Sequence, residues 1–195
     1  MTIKNIMKHC SYLLQNGKCR NLPFHNLVHT QEVINKVSLI SNIMRIEPKE
    51  TDFIVIAACF HDTGFSVTYK DHEETSKRLA TQYLAKTNYT QEEIDKVCSY
   101  IEATKMPQKP KDIYAQVLCD ANLFHLGTKD FWYRNLLLRK EWELLGGIIM
   151  IDSEWQLLNI KFLEEYQFKT AYGKEVLEKG KQENLNKLKQ LIRIR

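Results

Sequence analysis

Apolar residues recur along most of the chain at the spacing of one helical face. Val33, Ile34, Val37, Ile40, Ile43 and Met44 follow Pro23 at intervals of three and four, and this stripe stops before Pro48, which predicts a helix. Residues Asp52 to Asp62 are apolar on all sides, as expected of a helix at the centre of an all-α domain, with Gly64 as its stop. A buried parallel strand is the alternative for this run, and no second run of the kind supports it. A third helix is predicted from about His72 to Lys86, with Ser76, Leu79, Ala80 and Tyr83 on one face. Thr90-Gln91-Glu92-Glu93 reads as a capping box for a helix carrying Ile94, Val97, Cys98 and Ile101, and Pro107 and Pro110 follow its end. Asp112 can cap a fifth helix with Gln116, Val117, Asp120, Leu123 and Phe124 on one face. Two more are predicted at about 130–145 and 153–166, and a last one at about 170–192 whose stripe of Val176, Leu177, Leu185, Leu188 and Ile192 is incomplete.

Composition supports this all-α reading. Only 7 glycines and 4 prolines occur in 195 residues, too few to punctuate many short strands. Hydrophobic residues make up 44% and charged residues 27%, a balance that excludes disordered, fibrous and membrane classes. The longest apolar run, Phe53 to Phe60, falls far short of the roughly 18 residues of a membrane span, and no basic-then-apolar leader opens the chain. The expectation is a soluble, cytoplasmic protein. Its 5 cysteines include no Cys-x-x-Cys pair, and Cys59, Cys98 and Cys119 sit among apolar neighbours as core thiols of a reducing compartment.

The net charge of +4 arises entirely after residue 173, where Lys174, Lys179, Lys181, Lys187, Lys189, Arg193 and Arg195 face Glu175, Glu178 and Glu183. The remainder is balanced, so no nucleic-acid face is indicated. The domain organisation read from the sequence is one domain over 1–169 and a basic C-terminal helix over 170–195. That helix is a stalk near anionic lipid, a dimerising helix or a packed, solvated one.

Several polar residues lie where a core pattern would not put them. His29 is in line with Val33, Val37, Ile40 and Met44, so it points inward, and His25 lies one turn earlier. His61-Asp62 closes the most apolar helix, and Asp120 follows Val117, Leu118 and Cys119 on another buried face. Singly, each has a structural explanation as a hydrogen-bonded core histidine or a helix cap. Together, buried carboxylates beside histidines call for a shared cation, and mixed N and O ligands suit Mn, Fe, Mg or Zn.

The order His29…His61-Asp62…Asp120 resembles that of the HD superfamily of metal-dependent phosphohydrolases over roughly residues 20–170. The segment Phe24-His25-Asn26-Leu27-Val28-His29-Thr30 is similar to the His-Asn-x-x-His motif of cyclic-nucleotide phosphodiesterases and related small HD hydrolases. A closer resemblance is to the cytosolic HD domain of bacterial transmembrane effectors of Pycsar-type antiphage signalling. It is carried by Ala58 to Phe65, His72-Glu73-Glu74-Thr75-Ser76, Ile101-Glu102-Ala103-Thr104-Lys105 and Leu118 to Gly127. The resemblance implies an HD-type helical bundle with a metal site between helices, and one or two divalent ions on His29, His61, Asp62 and Asp120, Asp62 able to bridge. It implies His25 as general acid. It also implies that the chain is a stand-alone relative or the cytosolic part of a membrane-anchored effector. The run Thr63-Gly64-Phe65 is not the Gly-Tyr-Pro of cyclic-di-GMP hydrolases.

Three polar residues nearby have two readings each. Glu73 can orient a water or hold a second ion, or serve the dipole at a helix start. Lys105 can bind a substrate phosphate or cap a helix end in solvent. His125 can support Asp120 or pack in the core. Phe131, Trp132, Tyr133, Trp142 and Trp155 form a base-stacking wall or, at helical spacing, a packed core.

The function expected is hydrolysis of a nucleotide phosphate ester or anhydride, a cyclic nucleotide among the candidates, by a metal-activated water. The alternatives are a nucleotide-sensing module of an antiphage effector with little turnover, and a helical interaction domain whose histidines are structural. The partner expected is a nucleotide or other phosphorylated small molecule, with a second copy of the chain a further candidate.

Overall fold

A computed structural model describes residues 2–147 and 149–193; Ile194 and Arg195, which end the basic tail, lie outside the described residues. All regular elements there are helical, and the contacts divide the chain into two units, Met1–Asn122 and Leu123–Arg195. The sequence pattern, by contrast, draws its boundary at 169/170.

The first unit is assembled around one helix. Helix α1 spans Ile3–Asn16, α2 Leu27–Ile43, α3 Pro48–Phe60, α4 His72–Leu84, α5 Gln91–Ala103 and α6 Ile113–Asn122. Every residue of α3 from Phe53 to Phe60 is buried, and α1, α2, α4, α5 and α6 all pack against it. A helix without a polar face is stable only when neighbours cover it on all sides, and this one marks the centre of the unit. Pro48 starts α3, where its missing N–H costs nothing. The helix ends at Phe60, before Gly64, which instead sits in the short 3-10 turn Thr63–Ser66.

Helix α1 has no counterpart among the elements the pattern predicts, although Ile6, Cys10 and Leu14 are buried along one stripe. The buried face of α4 is Glu73, Ser76, Ala80 and Leu84, so Leu79 and Tyr83 sit at its margins, half-buried. The capping box of α5 is present: Thr90 Oγ1 accepts from the Glu93 amide at 3.3 Å and Glu93 Oε2 accepts from the Thr90 amide at 3.0 Å. Thr90→Ala removes one of these bonds and is expected to lower unfolding free energy by about 1 kcal/mol, read as a shifted urea midpoint at unchanged slope. Asp112 Oδ1 accepts from the Ala115 amide at 2.8 Å and caps α6.

In the second unit, α7 spans Phe131–Gly146, α8 Asp152–Glu165 and α9 Glu178–Arg193, the last preceded by a π-helical turn at Gly173–Leu177. Phe131 and Trp155 are buried, Trp142 meets Trp155 edge-on at 5.5 Å, and the Trp155 indole donates to Asn135 at 2.7 Å. These rings pack within the unit, whereas Tyr133 is exposed. Leu185 and Leu188 are buried, α9 lies on α8, and Lys181 is buried with its ammonium on Glu178 at 2.9 Å and on the Tyr166 carbonyl. No helix among the described residues is long and apolar enough to cross a membrane.

Cys10, Cys59 and Cys119 are buried free thiols, and burial pushes Cys59 up to about 12. Such a thiol carries no thiolate at neutral pH and serves as packing.

Candidate metal centre

The site is built where α2 begins and α3 ends. Asn26 has extended backbone, and its Oδ1 accepts from the amides of Val28 at 2.9 Å and His29 at 3.3 Å, starting α2 at Leu27. His29 therefore occupies the first turn of α2, one turn ahead of the buried Val33, and is itself buried. His25 precedes the cap. It lies outside the helix on which the sequence pattern puts it, because the extended Asn26 breaks the helical register.

After Phe60 the chain turns through His61 and Asp62. Ser76 Oγ on α4 donates to the His61 carbonyl at 2.7 Å and accepts from the Gly64 amide at 2.8 Å, so one buried hydroxyl ties this turn to α4. A Cβ at Gly64 would collide with the His72 carbonyl, so only glycine lets the start of α4 come this close.

Donor atoms of His29, His61 and Asp62 lie within 4.8 Å of one another, all buried. His61 Nε2 is 3.1 Å and His29 Nε2 3.4 Å from Asp62 Oδ2. His61 Nδ1 donates to the Ala58 carbonyl at 2.8 Å, which fixes the tautomer of a neutral ring and leaves a lone pair at Nε2. His61 Nε2 and Asp62 Oδ2 are both buried and make no hydrogen bond within the protein. A lone pair facing a carboxylate oxygen at this distance is repulsive unless positive charge stands between them, and a proton or a metal ion can supply it.

The titration directions say the same. Burial alone would raise the Asp62 carboxyl, but the charge of His61, with those of His25 and His29, holds it well below the usual carboxylate range. Burial would lower His61, and Asp62 together with the Ala58 carbonyl raises it instead. These residues fit a divalent cation by number, burial and donor type.

The other oxygen of Asp62 faces a second pair of side chains. His72 Nε2 is 3.7 Å from Asp62 Oδ1 and 3.4 Å from Glu73 Oε1, and Glu73 is buried in the first turn of α4. Burial pulls His72 down despite both carboxylates, so a neutral imidazole faces the centre. The Phe65 ring stacks on His25 at 4.5 Å and on His72 at 3.8 Å, and His25 lies 5.9 Å from the His29 ring. Phe65 thus holds both imidazoles beside the cluster.

No protein-family model matches the chain, and no curated protein is similar to it. The structure is similar to that of a predicted HD superfamily hydrolase from an uncultured Thermotogales bacterium, with a TM-score of 0.63. The alignment covers 97% of this chain and 91% of that one at 16% identity. The fold is the HD fold.

Within the HD fold, the structure brings His29, His61 and Asp62 together and puts His25 and Glu73 beside them. Asp120 is fully buried on α6 but does not belong to the group whose donors lie within 4.8 Å. Asn122, two residues on, does reach the cluster, with Oδ1 3.0 Å from His29 Nε2. Helical geometry explains why the sequence pattern passes over it. Residues two apart point about 200° from each other on a helix, so a pattern that turns Asp120 inward turns Asn122 outward. Asn122 is the last residue of α6, where that geometry ends. Lys105 is half exposed and meets Asp71 at 3.8 Å, without touching the cluster. His125 is half-buried in the short turn Phe124–Gly127 of the second unit.

Proposed function

We propose that this protein is a divalent-metal-dependent phosphohydrolase acting on a nucleotide phosphate ester or anhydride. The observation that carries the reading is the buried group His29, His61 and Asp62, whose donor atoms lie within 4.8 Å of one another, with His61 Nε2 3.1 Å from Asp62 Oδ2. The HD-type fold of a protein described as a predicted hydrolase supports it. His29, His61 and Asp62 would hold the ion, with Asp120 the fourth ligand implied by the resemblance. A divalent cation held there supplies Lewis acidity toward a phosphoryl oxygen and acidifies water near neutral pH.

The remaining steps belong to side chains of this chain. His25, outside the helix and stacked on Phe65, would donate a proton to the departing oxygen. Glu73, buried against His72, would orient a water at the centre or help hold a second ion. Lys105 stands one residue from α4 through Asp71 and contributes to phosphate binding. The nucleotide, cyclic or not, and the bacterial antiphage setting come from the resemblance to Pycsar-type effectors. The same resemblance supports the alternative of a nucleotide sensor with slow turnover.

The test is product release from a panel of nucleoside mono- and triphosphates, deoxynucleotides and 3′,5′-cyclic purine and pyrimidine nucleotides with Mn²⁺, using Asp62→Asn as control. Turnover of one class that vanishes in the control supports the proposal. Saturable binding of a cyclic nucleotide without turnover moves the assignment to the sensor. His25→Ala is expected to lower kcat by roughly 10²–10⁴ with metal content unchanged, measured by steady-state kinetics and elemental analysis; loss of metal in that variant makes His25 a ligand instead.

A further inference from the structure

The segment between α5 and α6, residues 104–112, walls a cavity of about 500 Å³ that the metal cluster does not line. Lys105, Lys109 and Lys111 all border it. Two acidic side chains border it as well, but both are engaged elsewhere. Glu102 Oε2 pairs with Lys77 at 2.7 Å, and Asp112 Oδ1 caps α6 through the Ala115 amide at 2.8 Å. Among the described residues, no ion pair engages Lys109 or Lys111, while Lys105 meets the exposed Asp71 at the outer distance of 3.8 Å and also acts electrostatically on Glu74. The lining thus carries three lysines against two carboxylates, one of them paired with Lys77, and is net positive. Its floor is apolar, formed by Ala103, Met106, Pro107 and Ala115.

We propose that this cavity is a binding site for a phosphorylated nucleoside, distinct from the metal cluster. The volume suits a small organic ligand. Three lysines match a di- or triphosphate as mobile point charges. The apolar side chains of Met106 and Pro107 offer a base something to cover, which an inorganic anion would not use. Asp71, the partner of Lys105, immediately precedes His72 and Glu73 at the start of α4, so an anion that draws Lys105 away acts next to the candidate metal centre. The inference concerns binding and does not rest on the hydrolytic reading.

The experiment uses the full chain in EDTA, with a ribose-labelled fluorescent ATP as the probe and inorganic pyrophosphate as competitor. Saturable binding is expected, weakened by raised salt and reduced about ten-fold or more in Lys109→Glu/Lys111→Glu, the size of losing charge-assisted hydrogen bonds. Asp62→Asn should bind as the unchanged protein does. A circular-dichroism melt matching the parent shows that the double variant is folded, and Lys109→Gln/Lys111→Gln should fall between the two. Absence of saturable binding, equal binding in the lysine variants, or binding lost only in Asp62→Asn would each overturn the site. Pyrophosphate binding as tightly as the nucleotide would also overturn it, since the apolar floor would then contribute nothing. Hydrolysis in the nucleotide panel is read separately, so either proposal can fail without the other.

Discussion

Asp62→Asn is expected to abolish both metal retention and the stabilisation that metal confers. Asp62 faces both donor sets, Oδ2 toward His61 at 3.1 Å and His29 at 3.4 Å, and Oδ1 toward His72 at 3.7 Å. An amide keeps the shape but removes the charge, and it turns an NH₂ group toward one of those sets. A cation at one hundred times its Kd should stabilise the parent by about 2.7 kcal/mol, a rise in Tm on the order of 5–10 °C for a chain of this size. The variant should lose that rise. In EDTA it should melt below the parent at neutral pH, because the histidines that hold the Asp62 carboxyl below the usual range stabilise the ionised group and the amide loses that contribution. Elemental analysis and thermal melts with and without Mn²⁺ read all three results. A variant that binds metal as the parent does would make the cluster a hydrogen-bonded core feature and remove the basis for the phosphohydrolase reading.

Gly64→Ala should destabilise the first unit by about 3 kcal/mol or more. The added Cβ would meet the His72 carbonyl backbone and, at 2.9 Å, the Ser76 hydroxyl, and neither can move cheaply. Ser76 bonds both the Gly64 amide and the His61 carbonyl, so pushing it away leaves buried polar groups unpaired. It would also lift His72 and Glu73 away from Asp62. The urea midpoint should fall, and metal affinity should fall with it while His29, His61 and Asp62 stay intact. Unchanged stability would mean that α4 can shift outward without penalty. Ser76→Ala separates the two causes, since it removes the hydroxyl bridge while leaving the close approach of the helices in place.

Much of the fold is written locally. The eight residues Phe53 to Phe60 announce a central helix because no polar face interrupts them, and Thr90 with Glu93 announces a helix start because the capping bonds span only three residues. His29 is legible because it continues the spacing of Val33 and Val37, and Asp62 because it is covalently next to His61 at the end of that apolar run. Helix α1 shows that even a complete stripe, Ile6, Cys10 and Leu14, can be passed over when no capping box or proline announces it, and its N-cap Thr2 makes no side-chain capping bond.

The sequence by itself determined the all-helical class, the central helix and three polar residues placed against the apolar pattern, since all of these depend on neighbours within one or two turns. The tertiary structure alone decided that Asp62 Oδ2 meets both His29 and His61. It also decided that Ser76 ties the His61–Gly64 turn to α4, that Asn122 reaches His29, and that His25 stands outside α2 against Phe65. Asn122 and His29 are 93 residues apart, and Ser76 and His61 are 15. No local spacing encodes such contacts. They exist because α2, α3, α4 and α6 must close around one another to bury their apolar faces, and that closure sets where the polar side chains at their ends converge.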